Sequence, residues 1–138
     1  RSLYGKNGLE NPPEGAKLTQ MGYENYPYSL RNVLKRVSRE LSEKGMEKTI
    51  IVTENGIAVD DDEIRIAFIE KALQGLQEAI KEGVDVKGYF YWSLLDNFEW
   101  QKGFSMTFGL IAVDRSNMER HPKESLYYLG SFAPEEKV

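Results

Sequence analysis

The run Thr49-Ile50-Ile51-Val52-Thr53-Glu54-Asn55-Gly56 decides how the chain is read. Thr49 to Thr53 is β-branched throughout and apolar at its centre, which predicts a strand covered on both faces. It stops abruptly in a carboxylate, an amide and a glycine. In parallel α/β folds the carboxyl ends of strands carry the chemistry, because the loops there vary while the strands hold position. Glu54 is therefore a candidate acid, base or nucleophile. By residue type alone it reads more simply as a solvated or ion-paired carboxylate.

Working outward, Leu30, Val33, Leu34, Val37 and Leu41 fall at helical spacing, with Pro27 suited to the first turn and Gly45 to the end. On the other side, Asp60 to Asp62 offer capping oxygens before a second stripe, Ile66, Ile69, Leu73, Leu76 and Ile80, closed by Gly83. Val86 to Trp92 reads as the next strand. Helix, strand, helix, strand in this order predicts an α/β fold with parallel neighbours and a right-handed crossover. Ser93 to Gly103 then forms a long loop rich in Trp, Phe, Asp and Glu, and Phe108 to Val113 is a further apolar run suited to an extra strand. Pro122 to Phe132 reads as a last helix opened by proline. Residues 1–24 read as an irregular loop, and residues 133–138 as a frayed tail.

At 138 residues, 41% hydrophobic and 29% charged, the chain suits one folded domain. It is shorter than the roughly 250 residues of a complete eight-stranded barrel. A net charge of -4 with dispersed Lys and Arg argues against a nucleic-acid partner. No stretch has the apolar length of a membrane span, and the first residues lack a signal-peptide core, so no membrane partner and a cytoplasmic location are expected. With no cysteine and only His121, neither a thiolate site nor a two-histidine metal motif is available, and no metal or cofactor is expected.

Glu54 and Glu99 are predicted to emerge on the same side of the sheet, with Trp92, Phe98 and Trp100 nearby. Carbohydrate needs that mixture: its C–H faces pack on aromatic rings and its hydroxyl edges need charged or amide partners. Blander readings exist for each group. Trp92 and Phe90 suit a buried strand, Glu99 a surface acid, His121 a solvated or capping position in a polar turn, Met106 packing, and Asp60 to Asp62 a helix start rather than a calcium loop.

Several segments, in order, carry a resemblance. Val52-Thr53-Glu54-Asn55-Gly56 resembles the nucleophile motif of glycoside hydrolase family 1, the retaining β-glucosidases and β-galactosidases built on a (β/α)8 barrel. Trp92-Ser93-Leu94-Leu95-Asp96-Asn97-Phe98-Glu99-Trp100 resembles that family's sugar-recognition loop, followed by Gly103-Phe104-Ser105-Met106 and Phe108-Gly109-Leu110. Met21-Gly22-Tyr23-Glu24 and Tyr26-Pro27 are similar to the segment entering the helix before the nucleophile strand.

The resemblance implies that Glu54 is the nucleophile and that Glu99 accepts hydrogen bonds from hydroxyls at the far edge of the sugar. It implies that Trp92 is the platform under the ring, that Trp100 donates its indole N–H, and that Phe108 shapes the pocket near O6. Asn55 and Gly56 belong to the motif and position the backbone. The family's acid/base glutamate comes from an Asn-Glu-Pro motif on an earlier strand, which these residues do not contain. The expectation is therefore the C-terminal part of a TIM barrel, its last two strands with flanking helices. Such a segment would be inactive alone and partnered by the N-terminal barrel segment and a β-glucoside or β-galactoside. Glu99 implies an unphosphorylated sugar, and the compact linker after Glu54 looks like that of archaeal members. The alternatives are a non-catalytic carbohydrate-binding or assembly module, or a truncated product without independent function.

Overall fold

The computed structural model describes residues 14–133, so the readings for residues 1–13 and 134–138 lie outside the described residues. Helix α1 spans Ser29–Glu43, strand β1 Ile50–Asn55, helix α2 Asp62–Lys81 and strand β2 Val86–Tyr91. β1 and β2 pair in parallel, as a strand-helix-strand order requires. A 3₁₀ turn at Trp100–Lys102 leads to an antiparallel hairpin of β3, Ile111–Val113, and β4, Arg120–Pro122, followed by α3, Glu124–Gly130.

Local chemistry sets the ends of α2. Asp61 accepts the Glu63 N–H at 2.9 Å, and Asp62 and Glu63 place negative charge at the positive end of the helix dipole. At the other end Val84 N–H donates to Ala79 O at 3.0 Å and Gly83 takes a φ of +96°, a turn that a side chain disfavours.

The core lies between the helices and one face of the sheet: Leu30, Leu34, Val52, Phe68, Ala72, Ala79 and Val84, joined by Ile57 and Val59 from the loop after β1. The buried side of α2 is rotated from the expected stripe. Arg65, Phe68, Ile69, Ala72, Gly75 and Ala79 are buried, whereas Ile80 is exposed. Small residues let α2 approach α1 closely; a Cβ at Gly75 would lie 3.0 Å from the Arg31 Cβ. On α1 only Leu30 and Leu34 of the expected stripe are buried. Val33 and Val37 are exposed, opposite in helical phase to Arg31 and Lys35, which pair with Glu78 and Glu82 of α2.

Three further readings are corrected. β1 was expected to be covered on both faces, but Ile51 is 54% exposed and Phe90 on β2 is 62% exposed, because the helices cover only the side of Val52 and Tyr89. The apolar run Phe108 to Val113 contributes a strand only from Ile111, and Pro122 ends β4 instead of opening α3. The reason is pairing: Arg120, His121 and Pro122 lie opposite Val113, Ala112 and Ile111, and Lys123 N–H extends the ladder to Leu110 O at 2.9 Å. α3 starts only once the chain leaves that ladder. His121 accordingly sits in a strand. Among the described residues, no helix is long and apolar enough to cross a membrane.

Candidate active site

Glu54 owes its position to an irregularity in β1. Val52 lies opposite Tyr89 and Asn55 opposite Tyr91, so between these pairs β1 contains one residue more than β2. Strict alternation from the buried Val52 would turn Glu54 toward the helices. The bulge leaves both Thr53 and Glu54 exposed and returns Asn55 inward, where its Oδ1 accepts the Tyr89 hydroxyl at 3.0 Å. Burial raises the pKa of the Tyr89 phenol and pushes that of Tyr91 up to about 12, the nearby Arg65 charge opposing the latter. Both hydroxyls therefore stay protonated. No hydrogen bond or ion pair from a described residue engages the Glu54 carboxylate.

The next residues lock this turn to the second strand. Trp92 N–H donates to Asn55 O at 3.0 Å, and Gly56 lies so close to Trp92 that a Cβ would fall 1.7 Å from its carbonyl oxygen. Phe108 reaches the same place, lining a cavity of about 140 Å³ with Asn55, Gly56 and Tyr26. Glu54, Asn55, Gly56, Trp92 and Phe108 thus gather at the carboxyl ends of the two strands.

The loop after β2 is zipped by its own backbone. Leu110 N–H donates to Ser93 O at 3.0 Å, Ile111 N–H to Leu94 O at 2.9 Å, and Asp96 N–H to Ile111 O at 3.0 Å. Asp96 accepts Gly109 N–H at 2.7 Å and meets the Lys123 ammonium at 3.2 Å, while that ammonium also donates to Gly109 O at 2.7 Å. Burial and the neighbouring Arg65 charge lower the Lys123 pKa, and Asp96 opposes them. Lys123→Met should loosen this loop and cost about 1–3 kcal/mol, because among the described residues the Asp96 carboxylate keeps only its Gly109 bond; denaturant unfolding reads the loss.

Farther out, Glu99 N–H closes the 3₁₀ turn on Gly103 O at 2.7 Å, and Phe98 and Phe104 stack edge to face at 5.3 Å beneath Arg115. Trp92 is 36% and Trp100 82% exposed. Glu54 lies at the end of β1 and Glu99 in the loop after β2, and no hydrogen bond joins them.

The sequence reading missed the groups that tie these loops together. Arg65 is fully buried; its guanidinium pairs with Asp62 and donates to Val59 O and Thr107 O, both at 2.7 Å. Asp62 in turn accepts the Ser125 N–H and hydroxyl, each at 2.8 Å. The available signal was phase: Arg65 shares a helical face with Phe68, Ile69 and Ala72, an unusual place for a cation. Burial alone would raise the Asp62 pKa, but the bonds from Ser125 and Arg65 outweigh it and hold the carboxyl below its ordinary value. Its folded pKa is depressed, so its contribution to stability is present above about pH 4 and is lost as pH falls through the lower folded value. Unfolding midpoints measured from pH 6 to pH 2 should fall in that range, and less steeply in Asp62→Asn.

A βαβ unit with acidic and aromatic residues at the carboxyl ends of its strands has the layout of β/α proteins whose site lies at that end of the sheet. The chain belongs to glycosyl hydrolase family 1, whose model matches residues 6–138. It is 40% identical to β-glucosidase A of Thermotoga maritima, covering 80% of this chain and 26% of that protein. It is 38% identical to β-glucosidase 42 of Arabidopsis thaliana, covering 77% and 23%. It is 35% identical to a 6-phospho-β-galactosidase of Streptococcus mutans, covering 91% and 28%. Among solved structures, the apo form of a β-glucosidase 1317 superposes with a TM-score of 0.83 at 41% identity, covering 95% of this chain and 32% of that one. The Thermotoga maritima β-glucosidase in complex with glucoimidazole gives 0.81 at 36% identity, covering 90% and 29%. The chain therefore spans about a quarter to a third of the relatives it matches.

Proposed function

We propose that the chain is the nucleophile-bearing part of a retaining β-glycosidase acting on terminal β-D-glucosyl or β-D-galactosyl residues. The observation that carries this is the bulge in β1, which leaves the Glu54 carboxylate exposed and without a partner among the described residues, at the end of its strand in a family 1 chain. Glu54 attacks the anomeric carbon, the aglycone oxygen leaves with a proton from a second carboxyl group about 5–5.5 Å away, and water then releases the sugar. The Trp92 ring serves as platform, Glu99 accepts sugar hydroxyls, Trp100 donates its indole N–H and Phe108 closes the pocket.

The second carboxyl belongs to barrel strands outside these residues, whether on the same polypeptide or another. Two observations support an incomplete (β/α)8 barrel: among the described residues β1 and β2 form a two-stranded sheet with open edges, and Ile51 and Phe90 are exposed where further strands would cover them. General acid catalysis contributes typically 10²- to 10⁴-fold, so turnover by this chain alone is negligible for ordinary aglycones.

A dinitrophenyl 2-deoxy-2-fluoro-β-glucoside removes the need for the acid, since its leaving group departs unprotonated. Covalent labelling of Glu54, detected by peptide mass analysis and absent in Glu54→Gln, is the expected result. Reversible binding indifferent to Glu54→Gln would favour a carbohydrate-binding module instead.

The substrate is an unphosphorylated sugar, because a Glu99 carboxylate facing a phosphate dianion repels it. In the assembled enzyme, kcat/KM for a 6-phospho-glycoside relative to its parent sugar should rise about tenfold or more in Glu99→Ser. An unchanged ratio would separate Glu99 from that edge of the sugar.

A further inference from the structure

We propose that Arg65 is a positioning residue that holds the loop following Glu54 and the Trp92-to-Phe108 loop in a single arrangement. The proposal rests on reading those loops as two parts of one glycosidase site.

Arg65 lies in the first turn of α2, facing the core, with no exposed surface. Its Nη2 donates at 2.7 Å to Val59 O, in the loop that follows Glu54 and the end of β1, and at 2.7 Å to Thr107 O, next to Phe108. Its Nη1 meets Asp62, whose carboxylate is held in turn by Ser125 at the start of α3. The Thr107 hydroxyl lies 2.8 Å from Val59 O and 3.0 Å from Gln20 Oε1, its single proton serving one or the other. Thr107 N–H donates to Gln20 Oε1 at 2.8 Å, and Gln20 N–H donates to Ala58 O at 3.0 Å. A single buried cation thus joins both loops, and through Asp62 it joins them to α3.

Chemistry explains why the group is arginine. Lysine is a point donor and cannot span two carbonyls and a carboxylate with a planar fork. An apolar side chain could fill the space, and replacing a buried ion pair by packed apolar groups often leaves stability unchanged or raised. Such a change would leave the loops without their common anchor. The arrangement therefore separates stability from loop geometry, and that separation can be measured.

The test uses the 138-residue chain with Arg65→Lys and, so that Asp62 is not left uncompensated, the double variant Arg65→Met/Asp62→Asn. Two quantities are read: amide hydrogen exchange across residues 55–61 and 103–110, and the saturating rate of Glu54 labelling by the dinitrophenyl 2-fluoroglucoside. The expected result is faster exchange in both segments together, at least tenfold, with α1 and the centre of α2 unchanged. The saturating labelling rate should fall at least tenfold, with less than threefold change in the half-saturating concentration, and Arg65→Lys should recover only part of it. Uniformly faster exchange, exchange confined to one loop, or an unchanged labelling rate in a folded variant overturns the proposal. If the unsubstituted chain is never labelled, the glycosidase reading fails by itself, and the exchange of the two segments alone decides whether Arg65 couples them.

Discussion

With the remaining barrel strands supplied in trans or in a longer chain, Glu54→Gln is expected to lower aryl β-glucoside hydrolysis on the order of 10⁴-fold or more. Glutamine keeps the shape of the side chain but cannot form the glycosyl ester, so both the formation and the breakdown of the covalent intermediate are lost. The fold should not notice the change. Glu54 is exposed and no described residue bonds its carboxylate, and surface substitutions of that kind usually stay within about 0.5 kcal/mol. Steady-state kinetics alongside thermal unfolding checks both halves of the expectation. A variant with near-normal turnover would remove Glu54 as nucleophile, whereas a large fall in melting temperature would show that its carboxylate is structural.

Gly56→Ala carries the largest structural effect. The added Cβ would lie 1.7 Å from Trp92 O and 2.8 Å from its carbonyl carbon, and both are backbone atoms that no rotamer change can clear. Either the turn after Glu54 or the start of the Trp92 loop must move. Overpacking of this sort typically costs about 1–3 kcal/mol, and a clash with backbone belongs at or above the top of that range. Because Trp92 N–H is also bonded to Asn55 O, the displacement passes to the residues flanking Glu54 on one side and to Trp92 on the other. Stability should therefore fall by about 3 kcal/mol or more in denaturant unfolding, and Glu54 labelling of the folded fraction should fall with it. Gly130→Ala, where a Cβ meets nothing within 4 Å, serves as the control.

The elements that position the site were legible because their signals are local. Thr49 to Thr53 has no helical alternative of comparable strength, Asp61 caps α2 as its side chain predicts, and Gly83 ends it. The hairpin was harder to read. Arg120, His121 and Pro122 have no strand signal of their own, and they are extended because Val113, Ala112 and Ile111 lie opposite them. Arg65 was hard to read for a related reason, although its helical phase points to the core. Its charge suggests solvent, and only the carbonyls of Val59 and Thr107 and the Asp62 carboxylate, brought in from separate segments, explain its burial.

Residue order alone marked Glu54 as a carboxylate closing a parallel strand, in a motif and beside an aromatic-rich segment that resemble those of one glycosidase family. It could not determine which way that carboxylate turns. Alternation from Val52 would send Glu54 into the helix layer, and only the pairing of β1 with β2 reveals the extra residue that leaves it exposed. Side-chain direction in a strand depends on register, and register belongs to two strands at once.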